Sequence, residues 1–245
     1  MKIINLIFSI FMTIFFFSSC IEDIELVNKP INIVSKTLEV KTEQNKSRSV
    51  IDFYGKHYWN PNDTIGVFGS ETINAIYSLQ EQNGDIATFT GNMNKSEETL
   101  LWAYYPYNEN VVLEGSSISF NLLEQRKVSY MSEAPMIGLP ENNGQMYFRH
   151  LGGILYLRLT GLPKNVSSIR IISLDEESPY LSGKAIVEDI YRPNSTFKII
   201  EGTHQITYKL DSNEEEAMFY HFQIPLEVGF YKKIGLELID NMGNI

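Results

Sequence analysis

Cysteine is nearly absent: Cys20 stands alone among 245 residues, so no disulfide can close within the chain and no cysteine-based zinc cluster can be built. Histidine is almost as scarce. His57, His150, His204 and His221 are scattered, with no His-Glu-x-x-His and no local pair at metal-ligand spacing. There is no Gly-x-Ser-x-Gly elbow and no glycine-rich phosphate loop. Carboxylate runs such as Glu176-Glu177 and Glu214-Glu215-Glu216 sit in polar, turn-like sequence. That is a setting for solvated acids, whereas glycosidase-type carboxylates need buried, pKa-shifted surroundings. The expectation is no catalytic residue, no metal, no cofactor and no enzyme. Positive charge is short as well: 20 Lys and Arg against 30 Asp and Glu give a formal charge of −10, which leaves no basic face for nucleic acid. Helical periodicity is also missing. The best window, 122–131, has apolar residues at 122, 123, 128 and 131, a poor helix face.

What the chain does have begins at its N-terminus. Lys2 precedes a run from 3 to 17 that is almost wholly apolar, long enough for a signal peptide and short for a membrane span. Ser18-Ser19-Cys20 follows and resembles a bacterial lipobox. On that reading residues 1–19 are removed, Cys20 carries lipid, and the chain is anchored to a membrane. The acidic cluster Glu22, Asp23 and Glu25 resembles an export signal that takes lipoproteins to the outer face of the outer membrane.

After a polar tether, Val34, Lys36, Leu38 and Val40 alternate with Ser35, Thr37, Glu39 and Lys41, a half-buried strand with one dissenting lysine. Residues 42–49 hold no apolar side chain and read as a loop. About a dozen further strands are expected, at 64–68, 75–79, 85–90, 99–105, 118–122, 146–160, 168–174, 181–188, 196–200, 205–210, 218–224 and 231–239. Val, Ile, Thr, Tyr and Phe cluster there, and turns such as Asn83-Gly84 and Glu114-Gly115-Ser116 separate them. In 146–160, Gly152-Gly153 reads as a bend in one long strand. So many short strands predict an all-β protein of two sandwiches. The turn-rich stretch 139–145 suggests the junction. The expected organisation is signal peptide 1–19, tether and N-terminal strand 20–48, one sandwich over 49–143 and a second over 144–245.

Four stretches carry a family resemblance. Trp59-Asn60-Pro61-Asn62-Asp63-Thr64-Ile65-Gly66-Val67-Phe68 is similar to the "W, short gap, D, I-G-V-F" signature of fimbrillin-like proteins. Leu101-Trp102-Ala103-Tyr104-Tyr105-Pro106-Tyr107 resembles their "A-Y-Y-P-Y" strand end, and Ala134-Pro135-Met136-Ile137-Gly138 their "P-M-x-G" turn. Phe148-Arg149-His150 resembles their "F-x-H" strand. The resemblance implies tandem transthyretin-like β-sandwich domains and a role as a shaft, anchor or tip subunit of strand-exchange fimbriae that support adhesion. It implies other fimbrial subunits as partners. It also implies an arginine-specific cut between Arg48 and Ser49 that frees the strand at 34–40.

The residues themselves read as structural. Trp59 is expected to plug the core, Asp63 to turn the chain by accepting backbone N–H groups, and Gly66 and Phe148 to belong to strands. Pro106 should end a strand, Tyr104, Tyr105 and Tyr107 should alternate between core and surface, and His150 should be a hydrogen-bonded core histidine. A competing expectation is a surface carbohydrate-binding lipoprotein whose aromatics, Tyr54, Tyr58, Trp59, Trp102, Tyr104, Tyr105 and Tyr107, form an exposed platform for a glycan or host receptor. Finally, Asn241-Met242-Gly243-Asn244 is a hairpin signal with no strand after it. A truncated or non-donating subunit is the expectation drawn from it.

Overall fold

A computed structural model describes residues 34–42, 50–51, 57–84, 86–94, 99–127, 134–210 and 220–245. The signal peptide, Cys20, the acidic cluster, Arg48, Ser49 and Tyr54 lie outside the described residues.

The strands in the first half are β1 (Val34–Thr42), β2 (Val50–Ile51), β3 (His57–Tyr58), β4 (Thr64–Gly69), β5 (Ala75–Asn83), β6 (Ile86–Met93), β7 (Leu100–Tyr105), β8 (Val112–Glu114), β9 (Ser117–Leu122), β10 (Gln125–Lys127) and β11 (Met136–Pro140). The second half holds β12 (Met146–His150), β13 (Gly153–Leu159), β14 (Val166–Ser173), β15 (Ser182–Val187), β16 (Lys198–Thr203), β17 (Gln205–Lys209), β18 (Tyr220–Leu226) and β19 (Ile234–Asp240). No helix occurs among the described residues, so the chain is all-β.

Seven strands close a barrel in the order β1-β12-β11-β7-β4-β5-β6. Its interior is filled by Leu38, Val40, Ile65, Val67, Tyr77, Phe89, Tyr105, Met136, Met146 and Phe148, contributed by alternate positions of each strand, and by Trp59 from the loop before β4. A four-stranded sheet, β16-β15-β9-β8, shares a second core with the outer face of the barrel: Phe68, Trp102, Tyr104 and Ile137 meet Ile118, Leu122, Val187 and Phe197. β4, β7 and β11 therefore bury side chains on both faces. A third core lies between the sheet β10-β17-β14-β19 and the pair β13-β18.

Pairing crosses the middle of the chain in both directions. β12 completes the barrel, and β9 pairs with β15. The turn-rich stretch around Asn142-Asn143-Gly144 is the tip of the β11–β12 hairpin, where Glu141 N–H donates to the Gln145 carbonyl at 2.8 Å.

Two expectations need correcting. The stretch 146–160 is not one bent strand. β12 ends in the barrel and β13 begins in another sheet. The chain passes between them at Gly152, where a Cβ would stand 2.3 Å from the Leu226 carbonyl oxygen, so only glycine lets the backbone through. Met136-Ile137-Gly138 is not a turn but the start of β11, a strand flanked by β7 and β12. Its alanine, proline and glycine masked a continuous buried run, since both faces are covered.

Candidate functional site

The barrel is sealed by its earliest described strand. β1 runs antiparallel to β6 along eight residue pairs, from Val34 opposite Met93 to Lys41 opposite Ile86. Its other margin is a short parallel seam to β12, with Val40, Lys41 and Thr42 opposite Met146, Tyr147 and Phe148. The expected alternation holds: Leu38 and Val40 are fully buried, while Ser35, Thr37 and Glu39 face solvent. Lys36, the dissenter, is half-buried. A side-chain bond reinforces the short seam, with Gln145 Nε2 donating to Glu39 Oε2 at 2.8 Å.

Next to this seal the signature residues form one structural unit. Trp59 lies in the barrel with its ring edge-on to Phe89, Tyr105 and Phe148, at centroid distances of 5.1, 5.3 and 5.8 Å. Asp63 is buried beside it. Its carboxylate accepts from the Asn60 N–H at 2.7 Å and from the Tyr105 hydroxyl at 3.0 Å, so it both turns the chain and ties β4 to β7. Gly66 has no room for a side chain, because a Cβ would stand 2.0 Å from the Tyr104 ring. Phe148 presses in the same way on Gly138 from β12. Pro106 follows directly on β7. His150 is half-buried at the end of β12, opposite Met136.

The tyrosines of β7 depart from expectation. Tyr104 and Tyr105 alternate, but between two cores: Tyr105 belongs to the barrel interior and Tyr104 to the layer outside it. The β9–β15 sheet covers what sequence alone reads as the solvent face. Tyr107 is half-buried. The Tyr104 hydroxyl lies 2.8 Å from both Asn74 Oδ1 and the Asn108 carbonyl, and accepts from the Asn108 N–H at 3.1 Å. Burial pushes its pKa up to about 12, against the opposing pull of the Asn108 and Asn74 bonds, so it is a fixed neutral donor.

Among the described residues, four rings of the expected aromatic platform face inward and two, Tyr58 and Tyr107, are half-buried. Trp59, Trp102, Tyr104 and Tyr105 are all buried, and Trp102 stacks on Phe68 at 4.0 Å inside the second core. A cavity of about 230 Å³ lies beside the Tyr104–Asn108 segment and β9, lined by Tyr107, Phe120, Leu122, Arg126 and Pro135. Arg126 is buried there, with its Nε donating to the Leu123 carbonyl at 3.1 Å. Among the described residues no group of His, Cys, Asp and Glu is placed to hold a metal ion. No described helix is long and apolar enough to cross a membrane.

Sequence reasoning missed the Asn74–Tyr104–Asn108 network. Its one signal was Gly66, whose close approach to a ring could not be paired with Tyr104 without the fold.

No family model and no curated protein matches the chain. It is similar to a solved structure from Bacteroides ovatus described as "a putative cell adhesion protein", with 13% sequence identity and a TM-score of 0.46, over 85% of this chain and 84% of that one.

Proposed function

We propose that this chain is a fimbrillin-like surface protein: a shaft, anchor or tip subunit of fimbriae, built from transthyretin-like β-sandwich domains and serving adhesion. Lipid on Cys20 would hold it at the outer membrane until a cut at Arg48 removed both lipid and β1, whereas an anchor subunit would stay uncut and keep both. Subunits would join by β-strand exchange, with β1 as the strand that leaves.

The observation that carries this reading is the place of β1. It is the barrel's closing strand and precedes the rest of the described chain. Its inward side chains Leu38 and Val40 fill the core, and its pairing with β12 is a short parallel seam of three residues. Removing it would uncover the margins of β6 and β12 and forfeit about 1.5–3 kcal/mol for each of these two side chains. That sum is a large part of a domain's typical stability of about 5–15 kcal/mol. A replacement strand would restore both the burial and the ladder bonds, the physics of β-strand addition. Arg48, six residues beyond β1, is the site where a cut would release it. The glycan-platform reading has less support, since Trp59, Trp102, Tyr104 and Tyr105 are buried.

Immuno-electron microscopy of cells with and without the protein tests the reading. Antibody decoration along fibres or at their bases or tips supports it. Label spread evenly over a fibre-free surface counts against it. Labelled palmitate should enter the wild-type protein and not a Cys20→Ala variant.

A further inference from the structure

β1 fills the lane between β6 and β12 with one residue that does not match it. Residues directly opposite one another across β1, β6 and β5 share a face of the sheet. Leu38, Phe89 and Leu79 make one inward row, in which Leu38 and Phe89 are fully buried. The neighbouring inward row is Lys36, Gly91 and Tyr77. Tyr77 is fully buried, and its ring lies across Gly91, where a Cβ would stand 2.2 Å from the ring carbon Cδ2. Beyond it, Met93 is buried again and belongs to the same core. The apolar interior therefore continues on both sides of the Lys36 level.

Lys36 itself is half-buried. A lysine so placed lays its methylenes along the apolar surface and carries its ammonium to water. The seam to β12 begins only at Val40, so at Lys36 the strand is paired with β6 alone. The residue that suits the core least thus stands where β1 has the fewest ladder bonds.

We propose that Lys36 keeps the seal exchangeable, and that the strand which replaces β1 comes from another subunit and carries a long apolar side chain, methionine or leucine, at the Lys36 level. This rests on the exchange of β1 proposed above and names what its partner must present. A replacement has to bind the lane better than β1 does. Leu38 and Val40 already fill their places, so a bulkier side chain at either level would overpack the core. The Lys36 level is where a gain is open. An uncharged chain of similar length covers the buried Tyr77 row without drawing its end out to water. Methionine, flexible and unbranched, fits a site whose opposite residue has no side chain and whose floor is a ring.

Two measurements on the full chain in detergent test this. In the uncut chain, Lys36→Met should raise the urea midpoint, and Lys36→Ala, which lacks the covering stem, should lower it. The second measurement uses the chain cut after Arg48, with a fluorescent label on the fragment that carries β1. Two nine-residue peptides compete for the lane, one with the sequence of β1 and one with methionine in place of Lys36. The methionine peptide should displace the labelled fragment at a concentration about fivefold lower. Equal potency of the two peptides overturns the proposal and leaves the exchange of β1 standing, as does an unchanged or lowered midpoint in Lys36→Met. If neither peptide displaces the fragment, the exchange itself fails and the proposal falls with it.

Discussion

The barrel and the β13–β19 sandwich face the same physical problem, an apolar interior bounded by strand margins, and they meet it to different degrees. In the barrel every strand has two neighbours, and its inward side chains are buried all the way round. In the sandwich burial falls from complete at β17, β14 and β18 to partial at β13 and β19. The difference comes down to a single element in each case: β1 supplies closure to the barrel, and nothing described supplies it to the sandwich. Closure by one strand makes a complete core and a replaceable one together, since the same few inward residues carry both properties.

Substitutions can widen or narrow this contrast. The largest effect is expected from Trp59→Ala, which empties the space among Phe89, Tyr105 and Phe148 and should cost about 3–5 kcal/mol in urea denaturation. Gly66→Ala should cost about 1–3 kcal/mol, because its Cβ can be housed only by moving the buried Tyr104 ring out of its network with Asn74 and Asn108. Asp63→Ala withdraws a buried acceptor from the Tyr105 hydroxyl and the Asn60 N–H, at about 1–3 kcal/mol in the same measurement. Leu236→Lys, although it lies on an inward face, should change stability by no more than about 0.5 kcal/mol. A large loss there would mean that the sandwich is covered after all.

The smallest effect concerns the end of β19. Asp240 accepts from the backbone and side-chain nitrogens of Asn244 and from the Met242 N–H, and those bonds hold its pKa below the usual carboxylate value. A folded pKa depressed in this way stabilises the turn above the ordinary carboxylate range, and the contribution is lost as pH falls through the folded value. The Asn244 and Met242 amides should lose protection, measured against their intrinsic exchange rates at each pH, as pH falls, while β14 amides keep theirs over the same range.

Much of this architecture was legible in the sequence, and the exceptions share a cause. The alternation in β1 showed which residues face inward, and the strands from 64 to 122 fell close to their expected places. Trp59 and Asp63 took the roles their types suggest. The solvent face of β7 was misread because alternation reports that two faces differ, not that one of them is wet. Tyr104 faces a second core supplied by β9, β15 and β16, which are distant in sequence. The resemblance implies a turn at 134–138, and β11 shows no alternation to oppose it, because a strand buried on both faces loses its period-two pattern. Asn142-Asn143-Gly144 has the turn chemistry of a hairpin tip, and turn chemistry has the same composition at a tip and at a junction.

The central claim is that β1 seals the barrel in the single subunit and leaves it in the assembled state. N-terminal sequencing of the protein recovered from assembled fimbriae tests this most directly. The account predicts a chain that starts at Ser49, with β1 gone and another chain's strand in its place. Assembled, protease-exposed material that still begins at lipidated Cys20 and still carries β1 would contradict it.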